Sequence, residues 1–216
     1  MSFQVMLEQL GGGMLTSILI FILTLLGSLP LALPVAFGRM SKCRPLCTLM
    51  RVYISFMRGT PLMLQLLVVY FGPWFLLRIP LTNGYRFYAV IIAFVLNYAA
   101  YFAEIYRSGI ESIPKGQYEA ASVLGYNKNQ TFFRIIFPQM VKRVLPPVTN
   151  EVITLVKDTS LAFVLAYEEM FTVAKQIASA RTSIMPLFVA GVFYFIFNAV
   201  VAFAMERIEK KLSYYH

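Results

Sequence analysis

The sequence predicts an all-α integral membrane protein with five transmembrane helices and one short helix on its cytoplasmic side. Three observations carry this. Of 216 residues, 59% are hydrophobic and only 13% charged, about half the charged share of a soluble domain. Apolar runs of the length that crosses a bilayer, about 20 residues, recur along the chain. The basic residues gather between alternate runs, as cytoplasmic loops do. A net charge of +9 can mark a nucleic-acid partner, but here the charge lies between apolar runs and not on one polar face. Nucleic acid is therefore excluded and the charge is assigned to membrane orientation.

The first span is expected over 14–37, softened by Pro30 and Pro34. The N-terminal "MSFQVMLEQLGGG" lacks a basic stretch and a small-residue cleavage site, so this run is read as a retained span and not as a signal peptide. The second span, 49–77, contains Arg58; the third covers 87–107, and the fifth, 186–206, is the most apolar. The fourth, 148–167, is the weakest because Lys157 and Asp158 interrupt it. Charge placement argues for counting it. With five spans and the N-terminus outside, thirteen basic residues fall inside and four outside, the latter being Arg78, Arg86, Lys175 and Arg181. Omitting the fourth span would place the basic C-terminal cluster outside, against the positive-inside bias.

No repeat or separate soluble domain interrupts residues 1–216, so the chain reads as a single transmembrane domain. Cys43 and Cys47 sit beside Lys42 and Arg44, and the one histidine is His216 at the far end. Two reduced thiols fit this pattern better than a structural zinc, so no metal is expected. Nothing has the look of a catalytic site: no histidine neighbours a nucleophile and no paired carboxylates mark a cleft. Tyr214 and Tyr215, beside His216, have no evident role.

The longest segment between spans, 108–147, contains "EAASVLGYNKNQTFFRIIFP". Gly116 can open a helix and Gly125 can close it in the left-handed conformation. Such a helix is about 12 Å long. Ala120, Ala121 and Ser122 make it thin enough for close approach, and Glu119 suits a helix N-terminus. These features fit a docking helix for a cytosolic partner, and equally an amphipathic helix lying on the membrane surface.

The same residues carry a family resemblance. Glu119-Ala120-Ala121, Gly125, Ile135 and Pro138 have the spacing that marks membrane subunits of binding-protein-dependent ABC importers, with Phe137 where that pattern has Leu. "FMRGTPLMLQ" (56–65), "AEIYRSGIESIPKGQYEAASVLG" (103–125) and "LVKDTSL" (155–161) resemble the polar amino-acid branch of that family. The resemblance implies a type I importer permease fold in the bacterial plasma (inner) membrane. It implies that Gly116, Glu119, Ala120, Ala121 and Gly125 form a coupling helix that docks on an ATP-binding cassette subunit. An external solute-binding protein and a second permease subunit, identical or a sister chain, complete the assembly. No G-x-x-x-x-G-K-[ST] phosphate loop occurs in the sequence, so ATP and magnesium belong to the partner and this chain binds no cofactor.

Polar residues inside spans line cavities or partners, because a charge at mid-bilayer costs at least ~2.5 kcal/mol. Arg58, Pro61 and Gln65 share helical spacing, as do Asn97, Tyr101 and Glu104, and again Glu151, Thr154 and Asp158. The expected substrate pathway takes Arg58, Thr60, Gln65, Asn97, Lys157, Asp158 and Ser160. In it Arg58 holds the carboxylate of an amino acid bidentately and Asp158 its ammonium, unless the two simply pair with each other. Glu104 is expected to pair with Arg107. An ion-coupled secondary transporter or small channel is the alternative, and it would have no evident use for a cytosolic helix.

Overall fold

The computed structural model describes residues 2–212, so Tyr214, Tyr215 and His216 lie outside the described residues. Among the described residues all regular structure is helical. Helix α1 (Phe3–Arg39) extends well beyond the expected first span and is capped by Ser2, whose hydroxyl accepts the Val5 N–H. It runs against α4 (Asn83–Glu111), the longer form of the third span. They pack tightly at Gly27, where an added Cβ would sit 2.7 Å from a Val95 methyl. Ile20, Leu66, Phe94, Tyr98 and Leu155 fill the core around this seam, each almost completely buried.

The expected second span is not one straight helix. It is two, α2 (Arg44–Gly59) and α3 (Leu62–Leu77), bent by 112° at the break between them. The cause is local. Thr60 is extended (φ −120°, ψ 147°), the conformation that a following proline imposes, and Pro61 has no N–H to continue the helix. Arg58, Pro61 and Gln65 therefore do not share one helix face, as their spacing had implied.

The segment after α4 folds into α5 (Lys115–Val123), α6 (Lys128–Thr131), a π-helical turn (Phe132–Ile136) and α7 (Phe137–Asp158). Asn127 and Gln130 close a reciprocal capping box on α6. Helix α7 starts eleven residues before the expected fourth span, carries Pro146 and Pro147 in its interior, and passes into a 3-10 turn over Thr159–Leu165. It includes Lys142, Arg143, Glu151, Lys157 and Asp158. Among the described residues, the helices long and apolar enough to cross a membrane are α1, α4 and α9 (Met185–Leu212), with the bent α2–α3 pair as a fourth crossing if counted as one; α7 is not among them.

Helix α8 (Met170–Arg181), unforeseen from the sequence, is held by Glu169. This buried carboxylate accepts the N–H groups of Phe171 and Thr172 at 2.7 Å, the Thr172 hydroxyl at 2.9 Å and the Tyr194 hydroxyl at 3.0 Å. The Ser17 hydroxyl reaches it at 3.4 Å, so one side chain ties α1, α8 and α9. The glycine run 11–13 finds its reason here. A Cβ on Gly13 would lie 2.9 Å from the Met170 backbone, whereas Gly11 and Gly12 face open space. Glu169→Ala removes a cap and leaves buried donors unpaired, a loss of about 2–4 kcal/mol. It should lower the melting temperature in detergent clearly more than Glu169→Gln, which keeps one acceptor.

Candidate functional site

A cavity of about 700 Å³ opens where α2, α4 and α7 converge, at the end of the bundle that carries α5. From α2 comes Arg58, in its last turn, with the guanidinium 5.3 Å from the centre of the Tyr101 ring. From α4 come Tyr101, Glu104, Arg107 and Ser108, neighbours on one helical face. From α7 come Arg143, Pro147 and Glu151 at i, i+4 and i+8. Arg107 pairs with Glu104 through two contacts, as expected, and also with Glu111. Arg143 donates to the carbonyl of Ser112, the C-terminal cap of α4. Among the described residues neither Arg58 nor Glu151 belongs to an ion pair. The cavity thus presents two cations, Arg58 and Arg143, and one carboxylate, Glu151, that belong to none of the ion pairs among the described residues.

Three expected pathway residues are turned away from this cavity, and the helix break explains them. The Gln65 amide donates to the carbonyls of Met57 (3.0 Å) and Thr60 (3.1 Å) and to the Thr60 hydroxyl (2.8 Å). The Asn97 amide donates to Met57 O (3.1 Å) and to the Gln65 carbonyl oxygen (2.9 Å). Thr60 in turn donates to Phe56 O. Breaking a helix orphans carbonyls, and a buried orphan costs about 1–3 kcal/mol. With side chains only 6% and 5% exposed, Gln65 and Asn97 meet that need, so the carbonyls freed at Pro61 do not face a ligand.

Asp158 is likewise committed, accepting the Tyr98 hydroxyl at 2.7 Å. Ser160 donates to the Lys157 carbonyl, and Lys157 is exposed. The expected layer of Arg58 and Asp158 does not form; the carboxylates that share the cavity with Arg58 are Glu104 and Glu151. Arg143 was not singled out from the sequence. Its i, i+4, i+8 spacing with Pro147 and Glu151 was the available signal.

At the mouth of this end stands α5. Gly125 has φ +77°, its N–H bonds Ser122 O, and the Tyr126 N–H bonds Ala121 O, the paired closure of a Schellman motif. The glycine stop is where the sequence placed it. Two details differ. Ala121 is fully buried against its own chain, and the helix begins at Lys115, so Glu119 lies beyond the first turn and gains little from the dipole. The C-terminal end of α5 presents an apolar patch: Val123 is 88% and Leu124 72% exposed. Tyr118 is partly covered, and burial pushes its phenol above the usual value. Both cysteines are free thiols, Cys47 donating to Arg39 O at 3.0 Å.

Residues 28–214 match the family described as the binding-protein-dependent transport system inner membrane component. The chain belongs to this family. It is 38% identical to the L-cystine transport system permease protein TcyB of Bacillus subtilis over 95% of this chain and 87% of that protein. It is 34% identical to the arginine transport system permease protein ArtQ of the same organism, over 93% and 91%. A crystal structure of an amino acid ABC transporter superimposes with a TM-score of 0.86 at 27% identity, covering 98% of this chain and 99% of that one. The inward-facing MetNI methionine transporter shares the fold, with a TM-score of 0.75 at 16% identity, covering 99% and 100%.

Replacing Gln65 or Asn97 by Leu should cost about 1–3 kcal/mol each, because each leaves a buried carbonyl without its donor. The two effects should be non-additive, since both amides serve Met57 O. Melting temperatures of the single and double variants in detergent check this.

Proposed function

We propose that this chain is the permease subunit of an ATP-driven importer of polar amino acids. It alternates between outward- and inward-open states while a separate cassette subunit, docked on α5, binds and hydrolyses ATP with magnesium. The reading supposes five crossings, with α7 lining a polar pathway as the fourth, the N-terminus outside and the C-terminus in the cytoplasm of a bacterium. A second permease subunit completes the pathway, and an external binding protein delivers the substrate.

The observation that carries this is the cavity holding Arg58 and Glu151 at the end of the bundle that bears α5. A guanidinium and a carboxylate unpaired with each other are complementary to a zwitterion. Arg58 takes the α-carboxylate through two parallel hydrogen bonds, Tyr101 steadies the guanidinium plane, and Glu151 takes an ammonium. Glu151 therefore replaces Asp158 as the acidic partner. The relatives named for cystine and arginine transport support an amino-acid substrate.

Two measurements test the reading. Co-expressed with its cassette subunit, the chain should bring that subunit through purification in mild detergent, whereas Val123→Arg and Leu124→Arg should not. Equal recovery of all three would mean that α5 is not the docking element. In proteoliposomes with the binding protein, Arg58→Ala and Glu151→Gln should each reduce uptake about tenfold or more, the loss expected for one charge-assisted contact. Unchanged uptake would remove both from the pathway.

A further inference from the structure

The last turn of α4, helix α5 and the first half of α7 are locked together. Gly109 lies so close to α7 that an added Cβ would come 2.1 Å from a Val144 methyl. Gln139 donates to Gln117 at 3.2 Å, linking α7 to α5, and Ala121 is buried beneath. The joint between α4 and α5 is Ser112–Pro114, where Ser112 caps α4 and Pro114 opens α5. Arg143 reaches this joint from α7, its guanidinium donating to the Ser112 carbonyl while it also lines the cavity.

We propose that Arg143 is a positioning residue that reports occupancy of the cavity to the coupling helix. A guanidinium carries five donors, and the bond to Ser112 uses one. A carboxylate in the cavity is the stronger acceptor, because opposite full charges add a Coulombic attraction that a neutral carbonyl does not offer the guanidinium. Bound substrate draws Arg143 towards the cavity and weakens its hold on Ser112. The α4–α5 joint loosens, and α5 changes its presentation to the cassette subunit. Glu151, two turns further along α7 at about 12 Å, belongs to the same helix, so a substrate held by Arg58 and Glu151 also loads α7 directly. Arg107, paired with Glu104 in the cavity and with Glu111 at the end of α4, is satisfied on both sides and does not need to move. The inference rests on the substrate reading above.

The test uses the assembled transporter in proteoliposomes with its binding protein, and measures ATP hydrolysis against increasing L-cystine, L-arginine and L-glutamine. The readout is the ratio of hydrolysis at saturating amino acid to hydrolysis without it, for wild type, Arg143→Gln and Arg143→Lys. A residue that only contacts substrate would shift the half-stimulating concentration and leave the saturated ratio intact. Arg143→Gln should instead reduce the stimulated increment about fivefold or more even at saturation, within the range of ordinary coupling energies. Arg143→Lys, which keeps the charge, should recover part of it. Full stimulation of Arg143→Gln at saturation overturns the proposal. Should Arg143→Gln fail to assemble with the cassette subunit, Arg143→Lys decides alone: a stimulated ratio equal to wild type overturns the proposal, and a reduced ratio with an unchanged half-stimulating concentration supports it. If none of the three amino acids stimulates the wild type, the substrate reading falls and this inference falls with it, an outcome separate from loss in the variant only.

Discussion

The break between α2 and α3 is the constraint on which the site depends. A chain buried in low-dielectric surroundings cannot leave backbone carbonyls without donors. Pro61 creates such carbonyls, and the amides of Gln65 and Asn97 satisfy them. Because the break is satisfied, it can be sharp. A bend of 112° turns α2 away from the line of α3 and brings its last turn, with Arg58, over Tyr101 of α4. A continuous helix would carry Arg58 along the axis of α3 and away from Glu104 and Glu151.

The cavity that results has a division of charge. Arg107 is consumed by Glu104 and Glu111, so part of the wall is electrically balanced and rigid. Arg58 and Glu151 keep their charges for something else. Both lie in one cavity at the end of the bundle that bears α5. Tight packing at Gly109 and the Schellman closure at Gly125 make that end stiff. The apolar surface of Val123 and Leu124 is costly to leave in water and is suited to burial under another subunit.

The opposite end is built on a different device. Glu169 gathers α1, α8 and α9 around one buried carboxylate, and the close approach at Gly13 lets α8 lie against α1. Residues 168–185 fall between the fourth and fifth expected spans. A capping carboxylate and a helix of modest apolarity carry no long hydrophobic signal, so only the packed structure reveals them.

The sequence by itself determined the membrane class, the positions of the apolar helices, the small helix with its glycine stop, and the family to which the chain belongs. The first three follow from composition, run length and local backbone preference, which are properties of contiguous residues, and the family from the resemblance of its motifs. It also marked polar faces on three spans, of which Arg58, Tyr101 and Glu104 line the cavity, while the face of Arg58, Pro61 and Gln65 is broken at the proline. What each polar face meets was decided only by the tertiary structure. Gln65, Asn97 and Thr60 have the same residue chemistry whether they face a ligand or a broken helix. The bend sent them to the backbone, Tyr98 took Asp158, and Ala121 turned inward where its spacing suggested a partner. Helical periodicity fixes an angle about one axis, while the choice between carboxylates such as Glu151 and Asp158 depends on where three separate axes cross.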